Sequence, residues 1–520
     1  MLVSVLALSA VVAAGSGLAP QPAAAARDSA TILGPSASSL DPAVQSDAGS
    51  AQVVAQVFES LTAVDAKQNV QPALAASWKT SSDGKKIAFT LRPNLKYSDG
   101  SALTAADVVK SWLRVLNPQH PSQLASLMDG VVGAKAYRQG KGSAASVGLS
   151  APNDTEVDVT LTSGAAEFAA IVSSPTFAVV PPNIDTTPQV LEPGTFVGSG
   201  GYVVSALSDT ETTLKANSYY WAGTPAIKTI HLISQLPSDQ TTLDAFSAGT
   251  VDYAPISAAD ATKVLYDPTL GPQLRVEPSP SVEYFGFNTT VAPFDNVHVR
   301  RAFAHGIDWA RIVALFENPL VVPATGMVPQ GVPGHSSNDY SPKFDLALAR
   351  NELAAAGYPN GSGFPTVTLV TPGTGFDADI VAQVKQNLGI TLNYVPVDGQ
   401  TYNSLLLTNP PQMWWMDWVA DYPGANDFLG ILLGDGQTNN FARWSDADFE
   451  TALTTALAAS NPTAAQAAYD NAESIIADQA PVIPVDYGSG YSLAAKGLLG
   501  ALPNSNGLVR YAGMSWASGS

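Results

Sequence analysis

Apolar residues along this chain recur alternately at strand and at helix spacing, and the alternation continues to the C-terminus. Thr31 to Leu33 reads as a short strand, followed by an extended segment from Gly34 that ends in a turn at Asp41-Pro42. Val53, Val54, Val57, Phe58 and Leu61 then fall on one face of a helix predicted over Gly49 to Leu61. Trp78 to Leu91 reads as a hairpin around Ser82-Asp83-Gly84, with Ile87, Phe89 and Leu91 on its buried face. After a turn at Ser98-Asp99-Gly100, Thr104 caps a helix with Asp107 in its first turn. Its stripe is Val108, Val109, Trp112, Leu113 and Leu116, and Asn117-Pro118 stops it.

Beyond a Gly/Ser/Ala-rich patch at Gly140 to Gly148, Glu156 to Leu161 is strand-like, and the Gly/Pro-punctuated run Val190 to Gly201 marks a lobe boundary. Ile227 to Ile233, Thr241 to Ala248 and Val251 to Ala254 read as strand, helix and strand, which predicts a mainly parallel sheet. A second lobe follows. It opens with a strand over Val282 to Phe287 and a helix from Asn296 carrying Val299, Ala302, Phe303, Ile307, Ile312 and Leu315. Helices are predicted at Leu346 to Ala356, Ile380 to Leu388, Asp446 to Ala459 and Pro462 to Ala477, and strands at Val367 to Val370, Thr391 to Val395 and Val482 to Val485.

Composition bounds what such a chain can do. With 520 residues, 46% of them apolar, it exceeds one ordinary core and predicts two or three lobes. A formal charge of −19 argues against nucleic acid and against an anionic membrane surface, both of which need clustered Lys and Arg. The sequence holds no cysteine to form a disulfide, act as a thiol nucleophile, ligate zinc or an iron-sulfur cluster, or carry a lipid. The five histidines, His120, His231, His298, His305 and His335, have no metal-ligand spacing, and no nucleophile-elbow or phosphate-loop motif occurs. The reading is a monomeric non-enzyme without metal or cofactor. Leu2 to Ala14 is too short for a comfortable membrane span and leads through Gly15, Gly17, Pro20 and Pro22 to an alanine run. It reads as an export signal cleaved near Ala26, although no Lys or Arg precedes it.

The run from Trp414 to Leu429, WWMDWVADYPGANDFL, departs from this bland background. Trp414, Trp415 and Trp418 supply rigid apolar faces, Asp417 and Asp421 supply charge, and Tyr422-Pro423-Gly424 turns the chain. Two readings are open. The tryptophans could be core with the aspartates on a solvated turn, or a carboxylate walled by aromatic rings could await a positive ligand, because burying it alone costs several kcal/mol.

The segment Phe89 to Trp112, FTLRPNLKYSDGSALTAADVVKSW, resembles the signature of the bacterial family 5 extracytoplasmic solute-binding proteins, the oligopeptide- and dipeptide-binding components of ABC importers. Asn217 to Trp221, Phe287-Asn288 through Pro293-Phe294 to Phe303, the run ending at Tyr358, and Ile483-Pro484-Val485 follow in that family's order. The resemblance implies an α/β fold of two hinged lobes with a further α/β domain inserted in the first. The parts would be a signal peptide at 1–26, first-lobe segments at 27–68, 190–278 and 485–520, the inserted domain at 69–189, and the second lobe at 279–484. Ligand would lie between the lobes, enclosed by hinge closure and passed to a membrane permease at the outer face of the membrane, in the periplasm or cell envelope.

In peptide-binding members the ligand's amino terminus meets an aspartate in a W-x-A-D-Y segment, here Trp418 to Tyr422, which makes Asp421 the ammonium partner. By the same resemblance Asp417, Trp418 and Val419 would line the peptide backbone from one side and Ser36 and Ser38, with the residue between them, from the other. The family's cationic contacts for the ligand's carboxylate are missing: Trp415 stands where Arg can occur, and Asp377 near a usual His. This favours longer peptides, or a cationic or carbohydrate-like solute stacked on Trp414, Trp415 and Trp418. Opine-like compounds and metal chelates are further family ligands. A secreted hydrolase using Asp417 and Asp421 is the alternative from another class.

Overall fold

Two strands from distant parts of the sequence, Leu274–Phe287 and Val482–Ala494, run side by side and antiparallel through the middle of the molecule. They appear in a computed structural model that describes residues 27–45, 47–120, 122, 124–164, 166–184, 197–315, 320–504 and 507–518. The export signal read at 1–26 and most of the crossing at 190–201 lie outside those residues. The strands centre a mixed sheet of eleven strands among the described residues, one of which, Val322–Pro323, pairs with Val482–Ala494 off the main order. On one side follow Met413–Val419, Val367–Thr371 and Leu392–Pro396. On the other follow Tyr253–Pro255, Ser29–Leu33, Thr229–Ile233, Glu211–Ala216 and Tyr202–Leu207.

Each long strand therefore serves both lobes. Leu274 to Pro278 pairs with Ser489 to Leu493 on the first-lobe side, and Val282 to Gly286 with Val482 to Tyr487 on the second-lobe side, with a register shift between Pro278 and Val282. Pro278 and Pro280 offer no amide hydrogen to a ladder, which concentrates the irregularity where the lobes meet. The same prolines hid the strand: only Val282 to Phe287 was legible from patterning, and likewise only the first four residues of Val482–Ala494.

The expected mainly parallel sheet is corrected. Parallel pairing is confined to Ser29–Leu33 and Val367–Thr371 with their two neighbours each, and the other pairings are antiparallel. True β-α-β units occur in each lobe, but the shared long strands and the Tyr202–Ala216 hairpin run against them. Two helix expectations also shift, and one helix is added. The first helix is Ala48–Val57 and turns extended at Phe58, short of Leu61. The helix from Asn296 breaks at Ile307 into Val297–Gly306 and Trp309–Leu315, leaving Leu315 exposed. Gly399–Thr408 is a helix that periodicity did not reveal.

A separate four-stranded antiparallel sheet, in the order Ala75–Thr80, Lys86–Leu91, Glu156–Thr160, Leu149–Asn153, carries the helix Ala105–Val115. Its hairpin forms as the sequence predicts, and Thr104 stands at the helix N-cap with its backbone N–H donating to Asp107 Oδ2 at 2.8 Å. Ile87, Phe89, Trp112, Val157 and Val159 make a core of its own, with the Trp112 indole N–H donating to Phe177 O at 3.0 Å. This small domain is tied to the first lobe by the Arg114 guanidinium, which grips Asp41 through two bonds of 2.6 and 2.5 Å. In the second lobe Phe303, Leu353, Ile380 and Leu388 cover one face of the sheet and Phe428, Leu432, Phe449 and Leu453 the other. Truncating an enclosed ring such as Phe303 to alanine costs about 3–5 kcal/mol. Among the described residues no helix is long and apolar enough to cross a membrane.

Candidate functional site

The tryptophan-rich stretch is the strand Met413–Val419, paired antiparallel with Leu274–Phe287 so that Trp418 faces Val282, Asp417 faces Glu283 and Trp414 faces Gly286. Alternation along the strand splits the aromatic cluster between two faces. Trp414 is core: it is 1% exposed and meets Tyr284 and Phe441 edge-on at 5.7 and 5.8 Å. Its indole lies over Gly286, where a Cβ would stand 2.1 Å from the ring, so only glycine fits. A ligand stacked on all three tryptophans is thereby excluded. Trp415, on the other face, donates its indole N–H to Glu283 at 3.3 Å and its backbone N–H to the Tyr402 hydroxyl oxygen at 2.8 Å.

Beyond Trp415 and Phe285 that face loses its helical cover, and the next positions out are acids. Asp417, Glu283 and Asp486 stand abreast on three adjacent strands, with Pro323 beyond Asp486. Burial, then the neighbouring Asp417, pushes Glu283 up to about 7, with the Trp415 N–H opposing. Burial, Glu283 and Asp417 together push Asp486 up to about 8. Asp417, the most open of the three, is raised by desolvation. Sequence reasoning found only Asp417, because the other two join it through strand pairing at separations no local pattern encodes.

At Ala420 the chain leaves the strand, donating to Pro280 O at 2.9 Å, and enters the turn that carries Asp421. Asp427, fully buried at the start of the second lobe's covering helices, holds this turn from inside. Its Oδ2 accepts the Asp421 N–H and the Trp418 indole N–H, both at 3.0 Å, while Oδ1 has no hydrogen-bond partner among the described residues. From outside, Glu167 of the small domain accepts the Tyr422 hydroxyl at 2.8 Å, the Tyr469 hydroxyl at 2.6 Å and the Asn426 N–H at 3.1 Å. Burial raises Asp421 to about 6; it also raises Asp427 well above the usual carboxylate range, with the Asp421 charge adding to it.

Asp421 and Val419 line a cavity of about 390 Å³ where three parts of the molecule meet. Gln45 and Asp47 reach it from the first lobe, Ser174 and Pro175 from the small domain, and Leu508 from the C-terminal segment. The volume suits a small ligand or one end of a longer one. Ser38 stands behind this wall, its hydroxyl on Asp47 and its N–H donating to Ser50 Oγ at 3.0 Å. Ser36 is elsewhere: it lines a separate cavity of about 430 Å³ with Asp209, Glu211 and Ser234. The residues read from sequence thus divide, with Asp421 and Val419 at the three-part cavity, Trp418 bracing it, Asp417 and Trp415 at the acidic row, and Ser36 outside both. Asp377 sits in a closed network, accepting from Thr371, Thr374 and Tyr394, and offers nothing to a ligand. Among the described residues no cluster of His, Cys, Asp and Glu has the form of a metal site.

The family model for bacterial extracellular solute-binding proteins, family 5 Middle, matches residues 69–440. The oligopeptide-binding protein OppA of Bacillus subtilis (strain 168) is 27% identical over 491 residues, covering 91% of this chain and 90% of that one. The probable deoxycholate-binding periplasmic protein YgiS of Escherichia coli (strain K12) is 28% identical over 462 residues, covering 86% and 85%. Among solved structures, the periplasmic murein tripeptide binding protein MppA in its unliganded open form superposes with a TM-score of 0.82 at 24% identity, covering 95% of this chain and 98% of that one. That likeness establishes the two-lobed fold.

Proposed function

We propose, for a chain that belongs to the bacterial extracellular solute-binding proteins of family 5, that it captures a peptide between its lobes and delivers it to an ABC importer's permease. The observation that carries the reading is the Asp421 carboxyl at a cavity walled by both lobes and the small domain. Its backbone is fixed by Asp427 and its carboxyl is raised by burial, so it gains most from a cation that replaces lost water. A peptide's amino-terminal ammonium is such a cation.

The acidic row across the long strands favours a ligand carrying further positive charge and disfavours anionic solutes, since Asp486 and Glu283 already repel one another. Closure would pivot where the long strands lose register, between Pro278 and Val282 opposite Tyr487 to Ser489. The boundaries given above for the signal, lobes and inserted domain, and an extracytoplasmic monomer that performs no chemistry, are part of the same reading. Calorimetry against a panel of free-amine peptides tests it. Binding that weakens at least tenfold in Asp421→Ala is the expected result, and a panel without binders sinks the peptide reading.

A further inference from the structure

Among the described residues Glu167 is the acidic side chain by which the small domain reaches the turn that carries Asp421, and its surroundings belong to the second lobe. Its two oxygens receive the hydroxyls of Tyr422 and Tyr469 and the backbone N–H of Asn426. It is 5% exposed, and among the described residues it takes part in no ion pair. Three donors meet one carboxylate in an enclosed space, so the group is satisfied as an acceptor while its charge remains unmatched. The fit extends to the backbone. A Cβ on Gly424 would stand 2.5 Å from the Glu167 carboxylate, and one on Gly164, three residues before it, 2.0 Å from Leu457 O. Gly164 and Glu167 are therefore both seated on the second lobe.

The contacts bracket the ligand residue. Tyr422 follows Asp421 directly, and Asn426 precedes Asp427, which holds the Asp421 N–H. Glu167 thus clamps both arms of a turn whose inner side is pinned by Asp427. The same domain contributes Ser174 and Pro175 to the cavity, and it is fastened to the first lobe by Arg114 on Asp41 and by the Gln45 amide on Thr176 at 2.7 Å. It bridges the two lobes instead of riding on one.

We infer that Glu167 is a positioning residue for the ligand's ammonium: the small domain, through Glu167, Tyr422 and Asn426, holds Asp421 in place before ligand arrives and so sets the preference for a free amino terminus. The inference rests on the peptide reading above and names a contributor that the Trp418 to Tyr422 motif does not contain. Repulsion gives it a second effect. Glu167 adds to the burden of charge on Asp427, so the pair behind the ligand's amine is more receptive to a cation with Glu167 present than without it.

The test uses the full chain and two probes, the tetrapeptide Ala-Lys-Lys-Ala and its N-acetylated form, titrated by calorimetry at one salt concentration. Glu167→Ala is expected to lower affinity for the free-amine peptide tenfold or more while changing the acetylated one less than twofold. Glu167→Gln keeps the shape and one of the two acceptor oxygens, with an amide N–H able to donate to a tyrosine hydroxyl oxygen, and is expected to restore much of the preference, and Tyr469→Phe, which removes one donor and is the mildest variant, to lose about threefold. Hydrogen exchange of the ligand-free protein gives a second measure: amides of residues 421–427 should exchange faster in Glu167→Ala while the rest of the second lobe is unchanged. Equal losses for the two peptides, or an unchanged preference in a wild type that binds, overturn this inference alone. A wild type that binds neither peptide overturns the peptide reading and this inference with it.

Discussion

Buried carboxylates in the first lobe and around the second-lobe cleft are treated in opposite ways. Asp41 is matched by a two-bond Arg114 grip, Glu59 by Arg510 at 2.6 Å, and Asp252 by Arg27 at 2.9 Å. Glu167, Asp427, Glu283 and Asp486, equally withdrawn or half withdrawn from water, have hydroxyls, amides or indoles as neighbours, or other acids, and among the described residues no guanidinium. Matched pairs hold a shape, because each charge is neutralised whatever else is present. Unmatched acids leave the cleft's electrostatics to be completed from outside, which is what a receptor for a cation requires.

If the matched pairs hold shape, removing a cation from one should have the largest effect of any single change. Arg114→Ala strands the Asp41 carboxylate, 2% exposed, at the joint between the first lobe and the small domain. A loss of about 3–5 kcal/mol in denaturant unfolding is expected. A loss under about 1 kcal/mol would show that water reaches Asp41 freely and would erase the contrast between the two regions.

The opposite signature belongs to Asp421. Replacing it with Ala should cost roughly 2–5 kcal/mol of binding to a free-amine peptide, with the melting temperature of the ligand-free protein unchanged or raised, since a carboxyl raised by burial has been removed. A fall in ligand-free stability to match the binding loss would place Asp421 with the structural acids.

This division was only partly legible beforehand. The Phe89 to Trp112 segment carried the family because its turn, cap and buried stripe are local features, and the structure forms each of them. Asp421 was legible for the same reason, standing in a short motif. Glu167 was not: its partners Tyr422 and Tyr469 are 255 and 302 residues away, and nothing near it in sequence marks it. Glu283 lies on a strand the sequence predicts and Asp486 one residue past another, but their pairing with Asp417 was not legible, because register between strands far apart in sequence leaves no local pattern. Trp414, left open between core and site by the sequence, is core, because strand alternation, invisible without the register, points it away from the acids.

A smaller effect follows from pH. Free Asp and Glu side chains titrate near 4, whereas folding pushes Asp421, Glu283 and Asp486 to about 6, 7 and 8. The folded chain therefore binds more protons than the unfolded one between roughly pH 4 and 8. Stability from these groups is greatest at the low end of that window and is lost as pH rises through it. The ligand-free protein should melt a few degrees lower at pH 8 than at pH 5, and Glu283→Gln with Asp486→Asn should flatten that slope. An unchanged slope in the double variant would mean that these acids are hydrated as fully as surface ones.

The finest division lies inside the acidic row. Asp417 is its most exposed member, and an exposed charge pair contributes only about 0.2–1 kcal/mol, so Asp417→Asn should weaken a lysine-bearing peptide at most about fivefold. The loss should shrink further at high salt, because screening reaches an open carboxylate first. Glu283, half-buried between two acids, should show a larger and less salt-sensitive loss with the same peptide. Exchanging the peptide's lysines for norleucine removes the cation and keeps the hydrocarbon stem. In that background Asp417→Asn should have no effect or a slight gain, since the row then repels nothing it needs. A loss as large with norleucine as with lysine would mean that Asp417 acts on the strand rather than on the ligand's charge.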